Sequence, residues 1–306
     1  MRGCDYMKIS TVIPTKNRPH DLLVAVKSIT RQIRKPDQLV IIDQSGDVLG
    51  RDLVRAEMQR FSEVELTYVH DQAISGLVAA KAESLKFATG DVICFLEDDV
   101  VLEDDYIAEI ENGFLGETTM LGCSGVITNP PTAGRLYLLM FNIFHRGIYR
   151  DGRPLIYAGI THQSNALVAS DVLSGGLSAW RAKVFDAVSF DVRNGFHMLE
   201  DFEFSRRAFR FFGPYFFINP KARLEHNFSA INRDFLDLRH RRKVVEFILY
   251  YKKNSQLPFA LTSLLWLLAG QCLDAVAQSF RVRSLKPLVG AFRGLVDGVH
   301  KKILQV

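Results

Sequence analysis

Paired cysteines are missing from this sequence of 306 residues. Its four cysteines stand far apart without a CxxC pair, at Cys4, Cys94, Cys123 and Cys272. This spacing gives no sign of a cysteine metal site. Cys94 lies inside an apolar run and is expected to be a small core residue. A reducing compartment is the expected setting.

Glycine-rich phosphate loops and a targeting segment are also missing. The sequence has neither GxGxxG nor GxxxxGK[ST], which argues against a dinucleotide-binding enzyme and against a P-loop enzyme. The first residues lack the charged, apolar and cleavage-site pattern of a secretory signal, and Met7 is a candidate start. No internal repeat or low-complexity segment is present.

Charge is distributed unevenly along the chain. Residues 233–306 carry 13 Lys/Arg and 5 Asp/Glu, a surplus of 8, so the net charge of +4 leaves −4 on the first 232 residues. An acidic body argues against nucleic acid as a partner, because a nucleic-acid-binding core carries positive charge on its folded face. The basic tail fits a surface of anionic lipid. A solvated basic helical region is the alternative.

Strand and helix patterns alternate through the first hundred residues. Near-continuous apolar runs predict strands over residues 8–14, 38–43, 64–71 and 91–96. Apolar residues at helical spacing predict helices over residues 21–33, 51–61 and 76–88. This alternation predicts an α/β fold with a Rossmann-like, mostly parallel sheet flanked by helices. Such sheets bind ligands at the carboxyl ends of their strands.

The later part of the chain is less regular and then becomes helical. Strands are predicted over residues 122–127 and 215–218, a helix over 200–212, and a glycine turn, strand and helix start over 175–185. Basic and amphipathic helix patterns cover residues 235–253 and 285–303. We expect a catalytic domain over residues 1–232 and a helical carboxyl-terminal appendage over residues 233–306.

Residues 257–273 form the longest uncharged run of the appendage. These seventeen residues fall short of the ~20 that span a bilayer, and Pro258 and Gly270 weaken the run further. An interfacial or re-entrant helix is the favoured interpretation, with a buried helical hairpin and a true span as alternatives. The amphipathic pattern over residues 285–303 suits a headgroup surface.

Three consecutive acidic residues follow the fourth predicted strand. Glu97, Asp98 and Asp99 would repel one another strongly unless a cation joins them. Hard divalent ions take oxygen ligands and keep open positions for substrate phosphates. The position therefore suits Mg²⁺ or Mn²⁺ carrying a diphosphate, and an acidic surface turn is the alternative.

Two further groups are candidates for chemistry. Glu200 and Asp201 open a predicted helix, where they either complement the helix dipole or supply a general base for an acceptor hydroxyl. His226 follows a strand, and a lone histidine is usually a packed or surface residue. Because the sequence also contains the two acidic groups, His226 is a candidate metal ligand.

The first two strands end in groups that suit a nucleotide. The segment PTKNR, residues 14–18, supplies hydroxyl, amide and guanidinium donors before a helix whose dipole favours phosphate. Asp43 and the residues after it can pair with a base edge or a ribose hydroxyl. A nucleotidyltransferase is one rival interpretation, but it should carry a glycine-rich loop here, and PTKNR is not one.

Five segments in this order resemble the family 2 glycosyltransferases of GT-A fold: VIPTKNR, VIIDQS, GDVICFLEDDV, GGLSAWRAKVF and LEDFEFSRR. The resemblance covers about residues 8–229. It implies inverting, metal-dependent transfer of a sugar from a nucleotide-diphosphate donor, with a UDP-sugar favoured, to a hydroxyl acceptor. A lipid-linked or cell-surface glycan precursor in polysaccharide biosynthesis is the implied acceptor, and Mn²⁺ or Mg²⁺ is the implied cofactor.

The resemblance also implies roles for individual residues. Asp99 and His226 would bind the metal, and Asp201 would be the catalytic base with Glu200 beside it. The nucleotide-sugar would contact Pro14, Thr15, Asn17, Arg18, Asp43, Gln44, Lys81, Glu97, Asp98, Gly175 and Gly176. The sequence departs from the family at Gln44 and Glu97, where aspartate is commoner, and at Lys81, where arginine is frequent.

Together these features predict a peripheral or monotopic enzyme at the cytoplasmic face of a membrane, with a homo-oligomer left open. The rival from a different class is a catalytically silent GT-A relative that acts as a membrane scaffold or sugar-binding module. The presence of Asp99 and Asp201 argues against a silent protein.

Overall fold

Nine strands form one sheet in the part of the chain that the computed structural model describes, which is residues 6–130, 134–229 and 235–304. The strands are β1 (Ile9–Thr15), β2 (Gln38–Asp43), β3 (Glu65–His70), β4 (Val92–Leu96), β5 (Val100–Leu102), β6 (Gly122–Ile127), β7 (Val168–Ala169), β8 (Leu177–Arg181) and β9 (Phe216–His226). Six of the nine run in the same direction. The predicted α/β class with a mostly parallel sheet is confirmed.

The order of the strands places the ends of β1 and β4 next to each other. The order is β3-β2-β1-β4-β8-β6-β9-β5, and β7 pairs with β9. The first four strands are parallel, whereas β8 lies antiparallel between β4 and β6. Because β8 is reversed, its first residue, Leu177, pairs with Leu96 at the end of β4. The residues before β8 therefore reach the carboxyl edge of the parallel half.

Helices cover both faces of the sheet and follow it as an appendage. They are α1 (Pro19–Thr30), α2 (Leu49–Met58), α3 (Leu77–Ser84), α4 (Tyr106–Gly116), α5 (Arg135–Phe144), α6 (Arg153–Gly159), α7 (Val184–Ala187), α8 (Glu200–Phe212), α9 (Leu236–Lys253), α10 (Ala260–Val282) and α11 (Lys286–His300). A short 3₁₀ helix covers Gly147–Tyr149. The sequence patterns did not predict β5, α4 or α6.

Alternating side chains of the parallel strands build two cores. Along β2, Leu39 and Ile41 join one core, and Val40 and Ile42 join the other. Successive side chains of a strand point to opposite faces, so a strand covered on both sides is apolar throughout. The first core includes residues of α1, α2 and α4, and the second includes residues of α3 and α8.

The carboxyl-terminal helices share a third core with the body. Phe247 of α9, Leu267 of α10 and Ala291 of α11 are buried in one cluster with Tyr149 and Phe202. The appendage is therefore packed on the elements that precede it. The predicted domain boundary between residues 232 and 233 lies outside the described residues.

Helix α10 is longer than the uncharged run that indicated it. It has 23 residues and continues through Asp274 and Arg281. Among the described residues it is the one helix long and apolar enough to cross a membrane by length and composition. The uncharged run is shorter than a bilayer span, whereas the whole helix, with its two charged residues, is long enough to be one. In its most apolar window, 39% of the residues are buried inside the protein. A helix packed in a protein core passes the same test of length and composition as a membrane span.

Candidate active site

The ends of β1 and β4 are joined through Asp98. Thr15 Oγ1 donates a hydrogen bond to Asp98 Oδ2 at 2.7 Å, and Arg18 Nη1 donates to Asp98 Oδ1 at 2.9 Å. Burial raises the pKa of Asp98 to about 6, and the contacts with Thr15 and Arg18 oppose that rise. Parallel neighbours end at the same edge of a sheet, which explains why these side chains meet.

His226 lies between two carboxylates of the acidic run. Its Nε2 is 2.8 Å from Glu97 Oε2 and 2.9 Å from Asp99 Oδ1. Strand β5 brings these residues together, because Val100 directly after the acidic run pairs with His226 at the end of β9. One ligand atom from each of Glu97, Asp99 and His226 lies within 4.8 Å of the others.

The nearby carboxylates determine the protonation of His226. Burial alone would lower the pKa of His226, but Asp99 and Glu97 raise it to about 9. Burial would raise the pKa of Asp99, yet His226, the backbone N–H of Ser229 and Arg18 hold it below its usual value. Asp99 is therefore anionic at neutral pH, and the proton on His226 occupies a position that a metal cation could take instead.

One carboxylate oxygen of the cluster lacks a well-formed hydrogen bond. Asp99 Oδ1 is buried and accepts no hydrogen bond of good geometry from the described residues, although His226 Nε2 lies nearby. Buried polar atoms normally have a partner. A buried carboxylate oxygen beside a second carboxylate and an imidazole nitrogen fits a divalent cation, and oxygen ligands suit Mg²⁺ and Mn²⁺. Glu97, Asp99 and His226 could hold such an ion.

Glu200 and Asp201 occupy the first turn of α8 with different partners. Glu200 Oε1 accepts a hydrogen bond from Lys81 Nζ at 2.6 Å, and both side chains are buried. Burial raises the pKa of Glu200, which the adjacent Lys81 opposes. Asp201 pairs with Arg153, and its side chain is 21% exposed against 8% for Glu200. Asp201 is the more accessible of the two carboxylates.

Two glycines before β8 bring the acidic cluster and the Glu200–Asp201 pair together. The N–H of Gly175 donates to Asp201 Oδ2 at 3.4 Å, and its carbonyl accepts from Lys81 at 3.0 Å. The carbonyl of Gly176 accepts from the N–H of Glu97 at 3.1 Å. A Cβ on Gly175 would collide with Glu200, and one on Gly176 with Glu97. Only glycine permits this approach.

The polar residues at the end of β2 contact one another. Asp43 is buried, and its Oδ2 accepts from Tyr68 at 2.6 Å while Oδ1 accepts from the N–H of Ser45 at 2.9 Å. Gln44 Oε1 accepts from the N–H of Gly76 at 2.8 Å and so fixes the loop before α3. These contacts hold the loops at the carboxyl edge in position.

Three other predicted nucleotide contacts lie at or beneath this edge. Pro14 is buried within β1 opposite Ile42 and offers no polar side-chain atom. Asn17 has φ 55° and donates its N–H to Ser45 Oγ at 2.7 Å. Lys81 is buried against Glu200 rather than open at the edge.

Arg153 was not singled out by the sequence patterns. It begins α6, and its guanidinium contacts Asp201 and, at 2.7 Å, Asp151. Burial would lower the pKa of Arg153, but the two carboxylates raise it well above its usual value. Its one sequence signal is the polar segment RDGRP between two helices, because functional residues are frequent in loops.

Comparisons with known proteins identify the family. The model of the family described as Glycosyl transferase family 2 matches residues 10–174, more than half of the chain. Over 93 residues the chain is 34% identical to the uncharacterized glycosyltransferase YwdF of Bacillus subtilis, covering 30% of this chain and 33% of that protein.

A second relative carries a more specific name. Over 95 residues the chain is 25% identical to the UDP-Glc:alpha-D-GlcNAc-diphosphoundecaprenol beta-1,3-glucosyltransferase WfgD of Escherichia coli, covering 31% of this chain and 36% of that protein. The chain thus spans about a third of the length of these two relatives.

A solved structure agrees over nearly the whole chain. The mannosyltransferase PcManGT from Pyrobaculum calidifontis, in complex with GDP-Man and Mn²⁺, superimposes with a TM-score of 0.62. The match covers 96% of this chain and 88% of that one at 15% identity, so it shows the fold alone. The GT-A fold is confirmed.

Proposed function

The chain belongs to glycosyl transferase family 2, and from that premise we propose that it transfers a sugar from a nucleotide-diphosphate donor to an acceptor hydroxyl with inversion at the anomeric carbon. One observation carries the proposal. The two glycines before β8 hold the Glu97–Asp99–His226 cluster beside the Glu200–Asp201 pair. A donor diphosphate at the first and an acceptor hydroxyl at the second would be neighbours.

The donor side would be built on the carboxyl edge of the parallel strands. Glu97, Asp99 and His226 would hold Mn²⁺ or Mg²⁺, which is supported by the close approach of their ligand atoms and by the lack of a well-formed hydrogen bond to the buried Asp99 Oδ1. When bound, such a cation neutralises charge on the departing diphosphate. The donor nucleotide would lie over the loops that follow β1 and β2, with residues 14–18, Asp43 and Gln44 shaping that side.

A UDP-sugar is the favoured donor. The printed name of the relative WfgD specifies UDP-Glc, and that relative matches this chain over 95 residues. The fold alone does not select the base, because the superimposed PcManGT binds GDP-Man.

Asp201 would act as the catalytic base. It is the more accessible carboxylate of the pair, and Arg153 and the N–H of Gly175 fix its orientation. A carboxylate held in this way can take the proton of an acceptor hydroxyl as the oxygen attacks. Attack from the face opposite the diphosphate inverts the anomeric carbon. The buried Lys81–Glu200 pair would support the first turn of α8.

The carboxyl-terminal helices would lie on the cytoplasmic face of a membrane. Large apolar side chains are exposed on one face of each of two helices, at Leu261, Leu265, Trp266, Leu273, Val276 and Phe280 of α10 and at Val289, Phe292, Val296 and Val299 of α11. At 3.6 residues per turn, these positions fall on one side of each helix and form a stripe. Arg283, between the helices, and Lys286, the first residue of α11, are exposed and can attract anionic headgroups.

The acceptor would be a lipid-linked glycan precursor of polysaccharide biosynthesis. The name of WfgD specifies an acceptor sugar on diphosphoundecaprenol, and the exposed apolar stripes would bring the enzyme to such a substrate. We propose residues 1–232 as the catalytic domain and residues 233–306 as its membrane-associating appendage.

Hydrolysis of nucleotide-sugars by the purified full-length chain tests the proposed function. Release of nucleoside diphosphate from a panel of UDP- and GDP-sugars should require Mn²⁺ or Mg²⁺ and stop in EDTA. Binding of a donor without release, for every donor and with lipid-linked acceptors present, would favour the silent sugar-binding relative instead.

A further inference from the structure

A cavity of about 560 Å³ lies beside the candidate base and outside the residues assigned above. Three arginines line it, Arg146, Arg150 and Arg206, together with Asp151 and Asp171. The first two arginines flank the 3₁₀ helix after α5, and Arg206 lies on α8. The arginines therefore come from two separate parts of the chain.

Both acidic residues of the lining have basic partners. Asp171 forms an ion pair with Arg206, and Asp151 forms one with Arg153, which lies outside the lining and is shared with Asp201. Across residues 6–130, 134–229 and 235–304, the guanidinium groups of Arg146 and Arg150 have no hydrogen-bond or ion-pair partner.

The third arginine is held by protein partners. Arg206 Nη1 pairs with Asp171, and its guanidinium also contacts the buried hydroxyl of Tyr250, where it opposes the rise of the tyrosine pKa that burial causes. The guanidinium groups of Arg146 and Arg150, exposed and without a protein partner among the described residues, suit an anion with several oxygens. Arginine binds phosphate oxygens in pairs through its planar fork.

The cavity is connected to the proposed base through Arg153. Asp151 lines the cavity and contacts one side of the Arg153 guanidinium, whose other side contacts Asp201. Two side chains, Asp151 and Arg153, therefore connect the cavity to the carboxylate that would accept the proton. A sugar attached to that anion could extend past Arg153 to Asp201.

The other side of the cavity adjoins the exposed apolar helices. Gly147 packs against Ser263 at the start of α10 with no room for a Cβ. Trp266 of α10 donates its indole N–H to the carbonyl of Ile143 at 2.7 Å, and its ring lies 5.2 Å from that of Phe144 in a tilted arrangement. At the start of α5, Leu136 is 71% exposed, and other large apolar residues of both helices are exposed as well.

We propose that this cavity binds the diphosphate of the lipid-linked acceptor. The lipid tail would run along the exposed faces of α5 and α10, and the acceptor sugar would reach Asp201. The inference rests on the proposed sugar transfer for its purpose, but its evidence is the arginine lining and the adjacent apolar surface. It assigns Arg146, Arg150 and Arg206 as contacts of the acceptor diphosphate.

Binding of farnesyl diphosphate to the full-length chain tests this site directly. Calorimetry in EDTA prevents a metal at the donor site from capturing the probe. Arg146→Gln and Arg150→Gln should each weaken binding about ten- to hundredfold, because each removes charge-assisted hydrogen bonds. Arg150→Lys should give an intermediate affinity, since it keeps the charge and loses the planar fork.

Arg135→Gln is the matched control. Arg135 is an exposed arginine at the start of α5 that does not line the cavity, so its replacement should leave the affinity for the probe unchanged. All variants should retain the wild-type thermal midpoint and wild-type UDP binding in Mn²⁺. Equal affinity of wild type, Arg146→Gln and Arg150→Gln for farnesyl diphosphate would overturn the proposal.

Three further ligands show whether the cavity selects a lipid-linked diphosphate, a free diphosphate or an ordinary phospholipid headgroup. Farnesol, pyrophosphate and dihexanoylphosphatidylglycerol should each bind much more weakly than farnesyl diphosphate. Pyrophosphate binding as tightly as the probe would overturn the lipid-linked assignment. Equal binding of the phosphatidylglycerol would assign the cavity to ordinary headgroups and also overturn it. Donor hydrolysis is measured separately, so failure of the proposed function is distinguishable from failure of this site.

Discussion

Glu200 and Asp201 are neighbours in sequence, but their partners give them different properties. Lys81 holds Glu200 in a buried ion pair. Arg153 and the N–H of Gly175 contact Asp201, which remains partly accessible. The ion pair with Lys81 neutralises Glu200. Two donors fix the orientation of Asp201, so Asp201 is the carboxylate placed to accept a proton.

Asp201→Asn should reduce sugar transfer by about a hundredfold or more, because the amide keeps the shape and loses the proton acceptor. The dissociation constant of the donor in Mn²⁺ should stay near the wild-type value. Asp186→Asn, at an exposed aspartate of α7, is the matched control and should leave both quantities unchanged. Turnover at the wild-type rate in Asp201→Asn would remove Asp201 from the mechanism.

Asp99→Asn should make activity insensitive to added Mn²⁺ or Mg²⁺ and should weaken donor binding in metal about ten- to hundredfold. The reason is that the amide removes a buried anionic oxygen that has no hydrogen-bond partner among the described residues. Asp104→Asn, at an exposed acid a few residues later, should retain the metal response. Full transfer by EDTA-treated wild type would contradict a metal role for this cluster.

Helix α9 organises the segment that leads into α8. Glu246 in the middle of α9 accepts hydrogen bonds from the backbone N–H groups of His197, Met198 and Leu199 at 3.0, 2.8 and 2.9 Å. These three residues directly precede Glu200. On the same helix, Lys253 pairs with Glu203 of α8 at 2.7 Å. The appendage thereby positions the first turn of α8.

Glu246→Ala should lower the free energy of unfolding by about 1–3 kcal/mol for each N–H group that stays unpaired. It should also lower kcat for transfer while the KM for the donor stays near wild type, because the Asp201 turn relaxes and the donor side does not. Glu246→Gln keeps an acceptor oxygen and should restore much of kcat. An equal loss in both variants, spread over kcat and KM, would indicate general destabilisation instead.

The same residue should make stability depend on pH. Burial raises the pKa of Glu246 from 4.5 to about 7, against the opposing effect of the three N–H groups. The folded state therefore binds the proton more tightly than the unfolded state does. The stabilisation that comes from proton binding at Glu246 is fully present below the pKa of this residue in the unfolded chain, and it is lost as pH rises through about 7. Urea unfolding at about pH 5 and pH 8 should give a smaller difference in Glu246→Gln than in wild type.

The whole molecule combines a folded catalytic sheet with apolar faces that the fold leaves uncovered. Helices α9, α10 and α11 share a buried core with the body, so deletion of the last two would expose that core. Surface substitutions are therefore the appropriate test of membrane binding. The homo-oligomer left open by the sequence stays a prediction.

The full-length chain should sediment with phosphatidylglycerol vesicles and be partly released by high salt, which screens the basic residues. Replacing both Leu265 and Phe292 by Glu should reduce sedimentation strongly, since these exposed side chains lie on the apolar stripes. Leu115→Glu, at an exposed leucine of α4, is the control and should sediment like wild type. Equal sedimentation of the Leu265/Phe292 double variant would show that the stripes do not bind lipid.

The sequence by itself determined the parallel half of the sheet and the position of the acidic run at its edge. The predicted strand over residues 38–43 coincides with β2, and the predicted helix over residues 200–212 coincides with α8. Both predictions succeed because burial on two faces, or on one helical face, imposes a period on consecutive residues. The segment motifs then indicated the family from residues that are adjacent in the chain.

Only the tertiary structure decided which distant residues meet. Strand β5 has three residues, too few for a period, yet its pairing with β9 carries His226 to Asp99. Arg153 reaches Asp201 through α6, and the arginine cavity draws on α8 and the segment after α5. Such contacts depend on strand order and helix packing over long separations in the chain. A local sequence pattern indicates which residues are buried. Which distant residues become neighbours is decided only when the strands assemble into the sheet.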